Sequence, residues 1–484
     1  MVGLEGLVDV APMGQASQSS VSKWSRPDDA QGLITPHDRD YGNHTDIEES
    51  PWWKLDLPNV FPLYRIVICN RSNFRYQERA SRIIVEISIN GKVWETVHTG
   101  ISYFGDGLSG PSMKIELGGK VIARHIRLSL PEKNALNLKR VHIFVLKEDE
   151  ILLNIWKKYG FSFPERAIHP KRGAGGPYKI VSVGTVTDEN LTGLKVVQYG
   201  RWGNNIIQVT NAIFLAKYIG VDTIWVENIC FGKKSEVIEV DGVKIIFDEK
   251  HLPDGLYLRG DFYFKGVFGG GLFEELDNGE RYTLAQKAIF PLMVDQEAEG
   301  EGGRGRELAI HIRSGDVFSD RPHPGYVQPP LCFYVSIVDE LRAHGEIDRV
   351  CIVSEDRKNP CVNALEIHLS SLNVSVKIQS GTLYEDISYL RGASHLVLGT
   401  GTFGLGICLL SKEIKSLNVF SLGRASEFWN LYVGLPNVLK YSEYSVEGDA
   451  YIRPGEWKNT PEQRRLMLEL PASCLTVCTE TVIG

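Results

Sequence analysis

Leu308-Ala309-Ile310-His311-Ile312-Arg313-Ser314-Gly315-Asp316 decides how the second half of this chain is read. Its apolar run has strand character. At its end Ile310 and Ile312 alternate with His311 and Arg313, so the two polar side chains share one face. A buried core has no use for both, and Gly315-Asp316 then turns the chain. The rigid donor fork of Arg313 suits a diphosphate, whose departure as a dianion must be stabilised.

Outward from this stretch, strand candidates are Lys195-Val196-Val197, Thr223-Ile224-Trp225-Val226, Val350-Cys351-Ile352-Val353, His395-Leu396-Val397-Leu398 and Leu417-Asn418-Val419-Phe420. Helical patterns lie at 203–218, 333–344, 383–392 and 404–413. The alternation predicts parallel sheets covered by helices. It divides into two sheets, the first ending in the glycine- and acid-rich stretch 294–306, and a nucleotide would bind at the carboxyl ends of the strands.

Two glycine-rich turns accompany the central motif. Gln198-Tyr199-Gly200-Arg201-Trp202-Gly203-Asn204-Asn205 leads from a strand into a helix, where backbone amides favour an anion or polar group. Leu398-Gly399-Thr400-Gly401-Thr402-Phe403-Gly404 does the same with hydroxyls that suit a second phosphate. Val353-Ser354-Glu355-Asp356 ends another strand, and Glu385-Asp386 precedes the last motif.

Residues 7–146 have a different texture. Leu63–Ile68, Arg82–Ile89 and Ala123–Leu130 are short runs rich in β-branched residues, and Asn90-Gly91 supplies positive φ for a tight hairpin. Alternation in Ile84-Val85-Glu86-Ile87-Ser88-Ile89 puts one face in a core, as sandwich strands require. Glu148 to Tyr159 can form a short helix, and Arg172-Gly173-Ala174-Gly175-Gly176-Pro177 joins no regular element. Within the β-rich region, His44, Pro51-Trp52-Trp53, Asn70-Arg71 and Glu78-Arg79 form an unusual string. Two arginines and a histidine can grip sugar hydroxyls, and an exposed aromatic would cover the apolar sugar face. Trp52, Trp53 and Asp56 read as core and strand-anchoring residues.

With 484 residues the chain exceeds one ordinary domain. Lys plus Arg number 53 against 60 Asp plus Glu, a net charge of −7 without a basic tract, which argues against nucleic acid as a partner. No 18-residue apolar run exists, so no transmembrane segment is expected. The eight cysteines are scattered and without zinc-like spacing, and read as free thiols of a reducing compartment. With no signal-like start, a cytoplasmic location is expected.

Residues 7–146 resemble the discoidin-type, coagulation-factor-like C domains, and among them the fucolectins. Gln15-Ala16-Ser17-Gln18-Ser19-Ser20, the spacing from His44 to Pro51-Trp52-Trp53, Asn70-Arg71 with Glu78-Arg79, and Leu138-Lys139-Arg140-Val141 carry the resemblance. It implies a jelly-roll β-sandwich in which His44, Arg71 and Arg79 hold fucose. The family's paired cysteines are replaced by Ser72-Asn73-Phe74-Arg75-Tyr76-Gln77. Gln31 and Arg140 stand where acidic calcium ligands are expected, so no metal is predicted.

Residues 194–423 resemble the inverting alpha-1,2-fucosyltransferases and their protein-O- and alpha-1,6-fucosyltransferase relatives. Gly200 to Asn204, His311 to Asp316, Ser354 to Asp356 and Gly401-Thr402-Phe403 occur in the family's order. The resemblance implies a GT-B fold of two Rossmann-like halves, with GDP-fucose as donor substrate and no metal or other cofactor. Arg313, His311 and Asp316 would be catalytic, while Gly203, Asn204, Arg313, Asp356, Thr402 and Phe403 would bind the donor. Candidates for the general base are Asp316, Glu385 and Asp386. The second arginine of the family's His-x-Arg-Arg-Gly-Asp is Ser314 here, its Asn-Gln is Asn204-Asn205, and the Ser of Ser-Thr-Phe is Gly401.

The expected organisation is a carbohydrate-binding β-sandwich at 1–147, a linker at 148–192, a first GT-B half at 193–305 and a nucleotide-sugar-binding half at 306–484. The expected partners are a nucleotide sugar and an oligosaccharide or glycoconjugate acceptor. Transferases using another nucleotide sugar, or a glycan-binding protein with a catalytically inactive transferase-like domain, remain as alternatives.

Overall fold

The computed structural model describes residues 6–158 except 27 and 109, then 178–186, 190–198, 200–227, 231, 237–263, 276–296 and 305–422, and 432–482 except 447 and 449. The glycine-rich stretch 172–177, Tyr199 and most of 294–306 lie outside them. Two compact units divide the described residues. One runs to Thr192 and includes Pro253–Gly260; the other holds Gly193–Leu252, Asp261–Tyr263 and everything described from 276 onward.

The first unit is an all-β sandwich, as expected. Its strands are β1 (Leu7–Asp9), β2 (Gln15–Gln18), β3 (Trp52–Asn70), β4 (Ile84–Ser88), β5 (Glu95–His98), β6 (Met113–Ser129) and β7 (Leu138–Leu146). All pair antiparallel. β3 is long enough to serve both layers. Trp52–Asp56 pairs with β2 and the end of β6, whereas Arg65–Asn70 pairs with β7. Register shifts at Asp56/Phe61 and Leu63/Arg65 separate the two parts, because an extra residue in one strand bends it. Alternate residues fill the core: Trp53, Leu55 and Leu57 from β3, Val85 and Ile87 from β4, Ile126 and Leu128 from β6, Val141, Ile143 and Val145 from β7. Trp53 is fully buried and its indole donates to the Ala30 carbonyl at 2.7 Å. Asp56 anchors its strand through His125 (2.5 Å) and Lys54 (3.0 Å).

Asn90-Gly91 does turn a hairpin, with Gly91 at φ 71°. The loop between β4 and β5 is wider than a two-residue turn, because Asn90 Oδ1 accepts from both Lys92 N (2.9 Å) and Val93 N (3.0 Å) and builds an Asx-type loop. Short helical pieces, α1 (Asp29–Gly32) and the 3-10 turn Phe74–Ala80, also interrupt the strands. Beyond β7, Lys147–Lys158 forms α2, and β8 (Lys179–Val183) follows.

The second unit begins within β9 (Leu191–Val197), which opens a β-α-β segment with α3 (Trp202–Ile219) and β10 (Thr223–Glu227), parallel to β9. α3 ends where Gly220 takes φ 74°, the left-handed conformation that glycine adopts without strain. β11 (Val237–Val240) turns back on β12 (Val243–Ile246), which lies parallel to β10. In the first unit, β13 (Gly255–Gly260) pairs antiparallel with β8. α4 (Asn278–Ala288) follows β13 in the chain.

From Glu307 the chain alternates strictly. The order is β14 (Glu307–His311), α5 (Leu331–Ala343), β15 (Arg349–Val353), α6 (Pro360–Ser371), β16 (Ser375–Gln379) and α7 (Leu383–Arg391). Then come β17 (His395–Leu398), α8 (Thr402–Leu410), β18 (Ser416–Phe420), β19 (Lys440–Val446), α9 (Pro461–Glu469) and β20 (Leu475–Val482). In space the strands run β16-β15-β14-β17-β18-β19-β20. The first six are parallel, and β20 returns antiparallel on β19. Numbered from β14, this is the doubly wound order 3-2-1-4-5-6, whose direction reverses between β14 and β17. No described helix is long and apolar enough to cross a membrane.

One tie in the sandwich is charged. His142 of β7 meets Asp9 of β1 at 2.7 Å, and hydrogen bonds from Asp9 and Cys69 outweigh burial to push its imidazole up to about 9. A histidine raised in the folded state stabilises fully below its unfolded value near 6.5 and stops doing so as pH rises through about 9. Because the ring is partly solvent-screened, the contribution is about 1–2 kcal/mol. Urea unfolding of the β-sandwich, followed by circular dichroism, is expected to shift to lower midpoints between pH 6.5 and 9. The His142→Gln protein is expected to show a flatter profile; an identical profile contradicts this account.

Candidate functional site

In the first unit, β3 ends in Asn70, whose side chain holds the loop that follows: Nδ2 donates to the carbonyls of Gln77 and Phe104, each at 2.9 Å. Arg71 is thereby fixed and is only 6% exposed. One Nη donates to Asn137 Oδ1 at 3.3 Å, the other pairs with Asp40, and its Nε is buried without a partner among the described residues. Its guanidinium lies 5.0 Å from the Tyr41 ring and 4.7 Å from that of Tyr76, and Arg79 lies 4.7 Å from the same Tyr76 ring. One exposed tyrosine thus lies against both cations, an arrangement the ring quadrupole favours.

His44 belongs to the same cluster. It is buried, and its Nδ1 meets the Thr45 carbonyl at 2.8 Å and Ser22 Oγ at 3.1 Å. Tyr41 meets its ring edge-on at 5.3 Å. Burial, together with Arg71 and Arg79, pushes the imidazole below its ordinary value, so it is neutral at pH 7. A neutral ring donating from Nδ1 to Thr45 carries its lone pair on Nε2, an acceptor. The structure therefore brings His44, Arg71 and Arg79 together and adds Asp40, Tyr41, Tyr76 and Asn137. Elsewhere, Gln31 ties Ala16 N (2.9 Å) to the Gly14 carbonyl (3.0 Å), and Arg140 donates to the Thr35 carbonyl at 2.9 Å.

In the second unit, two helix starts meet at the carboxyl end of β14. Gly203, in the first turn of α3, faces the first turn of α8. A Cβ at position 203 would overlap the Thr402 carbonyl and come within 2.7 Å of Phe403 N, so the two backbones touch. Thr402 Oγ1 donates to Asn204 Oδ1 across this contact. The Phe403 ring lies 5.6 Å from Trp202 and 4.7 Å from His311. Asn204, Thr402, Phe403 and His311 are therefore one contiguous cluster. Burial and the Arg313 charge push His311 down to about 3, so this histidine is neutral at any physiological pH.

Arg313 lies beside it, its guanidinium 4.3 Å from the Tyr326 ring and its Nη1 3.3 Å from where a Cβ would sit on Gly401. Its Nη2 is 3.5 Å from Asp316 Oδ2, and Arg201, at the N-cap of α3, approaches the same oxygen at 3.3 Å. The other oxygen, Asp316 Oδ1, is buried without a partner among the described residues. Two guanidiniums and the amino ends of two helices thus concentrate positive charge around one carboxylate.

Asp356 is spent differently. Its Oδ1 accepts from the Ser314 hydroxyl, from Gly315 N (3.3 Å) and from Lys358 N (3.0 Å), and Lys358 Nζ lies 3.0 Å from Oδ2. Burial opposes the charge, but these hydrogen bonds prevail and hold the carboxyl at about 2. Ser314 is buried and also accepts from Asn359 N at 3.0 Å. Glu385 completes a capping box with Thr382, accepting its N–H at 2.6 Å, and Asp386 accepts from Gly381 N at 3.0 Å. Of the three carboxylates considered as a base, these two serve the start of α7, and Asp316 stands with Arg313.

Residues 15–140 match the F5/8 type C domain model. The N-terminal module is an F5/8 type C domain. Among solved structures, this module is similar to a serum f-lectin of striped bass (Morone saxatilis), at 21% identity over 29% of this chain, with TM-score 0.25. The match spans 48% of that lectin chain, about half its length. It is also similar to a Streptococcus pneumoniae fucose-binding module (22% identity, 29% of this chain, 99% of that one, TM-score 0.24). A third is the family 32 module of Clostridium perfringens NanJ, in complex with galactose (12% identity, 29% of this chain, 99% of that one, TM-score 0.25). Among curated proteins nothing matches the chain.

Sequence reasoning missed Asp40, Tyr41 and Asn137 in the F5/8 type C domain, which approach Arg71 from remote positions. It asked for an exposed aromatic without choosing one; Tyr76, between Arg71 and Arg79 in the chain, carries that signal. Arg201 and Asp316 were each visible in their motifs, but their pairing across the two turns was not. Substituting Gly203 with alanine is expected to cost about 1–3 kcal/mol through overpacking at Thr402. The check is the thermal unfolding midpoint of the Gly203→Ala protein; an unchanged midpoint contradicts the backbone contact.

Proposed function

We propose that the chain is an inverting glycosyltransferase of GT-B type that uses GDP-fucose without a metal and carries a glycan-binding F5/8 type C domain. The observation that supports this reading is the convergence of Arg313, Arg201 and the starts of α3 and α8 at the point where the strand order reverses. Ligands of open parallel sheets bind outside the carboxyl ends of the strands at that reversal. Fixed donors there suit a nucleoside diphosphate, since they supply the positive charge that a leaving phosphate requires.

In this mechanism the diphosphate draws Arg201 away from Asp316 and shares the fixed guanidinium of Arg313. The carboxylate, relieved of one cation, accepts the proton of the acceptor hydroxyl. The hydroxyl oxygen attacks the anomeric carbon, the carbon–oxygen bond to the diphosphate breaks, and GDP leaves on the opposite face. Neutral His311 and Asn204 border the reacting sugar as hydrogen-bonding groups, and Phe403 and Trp202 form the apolar wall behind them. Asp356 acts as a positioning residue, holding Ser314 and Gly315 in the turn after β14.

In the F5/8 type C domain, Arg79, His44 Nε2 and the Tyr76 ring offer donors, an acceptor and an apolar platform, the chemistry of a fucose or galactose face. Tethering this module to the transferase raises the local concentration of acceptor glycan. Ser314 supports a second reading, a glycan-binding protein without turnover, because the side chain at that position is committed to Asp356 and Asn359.

The two are separated by incubating the protein with GDP-fucose and oligosaccharides and measuring GDP release. Release that survives a chelator and falls at least about 100-fold in Arg313→Ala supports the transferase. Glycan binding that disappears in Arg79→Ala, with no GDP release from any variant, supports the second reading and overturns the first.

A further inference from the structure

Cys69, His142 and Asp9 lie on three neighbouring strands of the F5/8 type C domain. Val67 of β3 stands opposite His142 of β7, and Cys69 stands opposite Arg140. Asp9 of β1 stands opposite Phe144. Residues two apart on a strand share a face, so Cys69 and Asp9 both lie diagonal to His142 on one face. Their neighbours Ile68, Val141 and Ile143 point into the core.

His142 Nδ1 meets Asp9 Oδ2 at 2.7 Å. The other carboxylate oxygen accepts from Ala11 N (3.1 Å) and Ile143 N (2.9 Å), which fixes its orientation. Cys69 stands diagonal to this imidazole, and together with Asp9 it raises the ring's affinity for a proton. Phe144 stacks along the ring at 5.9 Å. The histidine and aspartate side chains are 28% and 25% exposed, and Cys69 is a half-buried free thiol. By contrast, Cys332, Cys351, Cys361 and Cys408 are buried. Other charges also lie on this face: Arg140 donates to the Thr35 carbonyl at 2.9 Å, Arg65 pairs with Glu116 at 2.6 Å, and Lys114 stands opposite Val67.

Nucleophile, imidazole and orienting carboxylate stand here in the order that activates a thiol. An imidazolium against sulfur stabilises the negative charge the sulfur carries as it attacks. We propose that Cys69 is a reactive thiol, held by His142 and Asp9, that undergoes exchange with low-molecular-weight disulfides. The Cys69 sulfur attacks one sulfur of the disulfide, the bond between its two sulfurs breaks, and the second half departs and takes the proton that Cys69 released. One thiol and one disulfide give one mixed disulfide and one thiol, with no further oxidant. The adduct would form one residue from Asn70, which ties down the loop carrying Arg71.

The test uses the full chain with oxidised glutathione and, separately, iodoacetamide, with modified cysteines located by peptide mass spectrometry. Cys478, exposed and hydrogen-bonded to Ser445 at 2.7 Å, is the comparison thiol. Cys69 is expected to react at least about 10-fold faster than Cys478 in the native protein, and the advantage is expected to vanish in urea. Asp9→Asn and His142→Gln are each expected to lower the native rate of Cys69 about 10-fold. If the variants fail to fold, the native and urea rates alone decide. Equal native rates at Cys69 and Cys478 overturn the proposal, as does a native advantage that persists after unfolding.

Discussion

The contact between Gly203 and the Thr402 carbonyl is the constraint on which the second unit's site depends. Two helices can bring their first turns together only if one offers no side chain, and the glycine at 203 meets that requirement. Thr402 and Asn204 then lock the contact with a hydrogen bond. The electrostatic consequence is direct. Unsatisfied amides of two helices share one region, and their partial charges add to those of Arg201 and Arg313. An internal carboxylate, Asp316, balances part of this charge.

The F5/8 type C domain handles its cations differently. Arg71 is almost fully desolvated, which is tolerated because Asp40 and Asn137 accept from it and two tyrosine rings flank it. Such a guanidinium is held in place by its partners, and Tyr76 rests on it and on Arg79 at the surface. Rigidity lowers the entropic cost of binding a small polar ligand, since fewer side chains must be ordered on contact. Burial, with these two cations, keeps His44 uncharged and so preserves an acceptor among donors.

The parts legible in the sequence are those with strong local period. Alternation in β4 and β6 marked the sandwich, and β14, β15, β17 and β18 stood out as apolar runs because both their faces are covered. β16 and β20 escaped notice: they are half-exposed strands at the edges of the sheet, where burial imposes no continuous apolar run. The hairpin after β4 was visible through Asn90-Gly91, but its width is set by the Asn90 side chain rather than by backbone preference. In the site, strand-end motifs could be read because alternation put His311 and Arg313 on one face. The commitments of Asp356 and Glu385 could not, since a carboxylate that caps a turn and one that faces a ligand look alike in a sequence.

Ser314 shows why single-position comparison misleads. Read from the sequence alone, a serine directly after Arg313 looks like a missing donor. In the fold, that serine is buried and braces the turn through Asp356 and Asn359, so a long cationic side chain at this position would displace two hydrogen bonds. Meanwhile Arg201 brings a second guanidinium to Asp316 from the other helix start. Asp316 is thus met by two guanidiniums, one from its own strand end and one from the opposing loop. Because Arg201 is largely exposed, its guanidinium can change partners at little cost, whereas Arg313, packed against Tyr326, cannot. One fixed and one mobile cation around a single carboxylate allow an incoming anion to displace a contact without unfolding the turn that holds it.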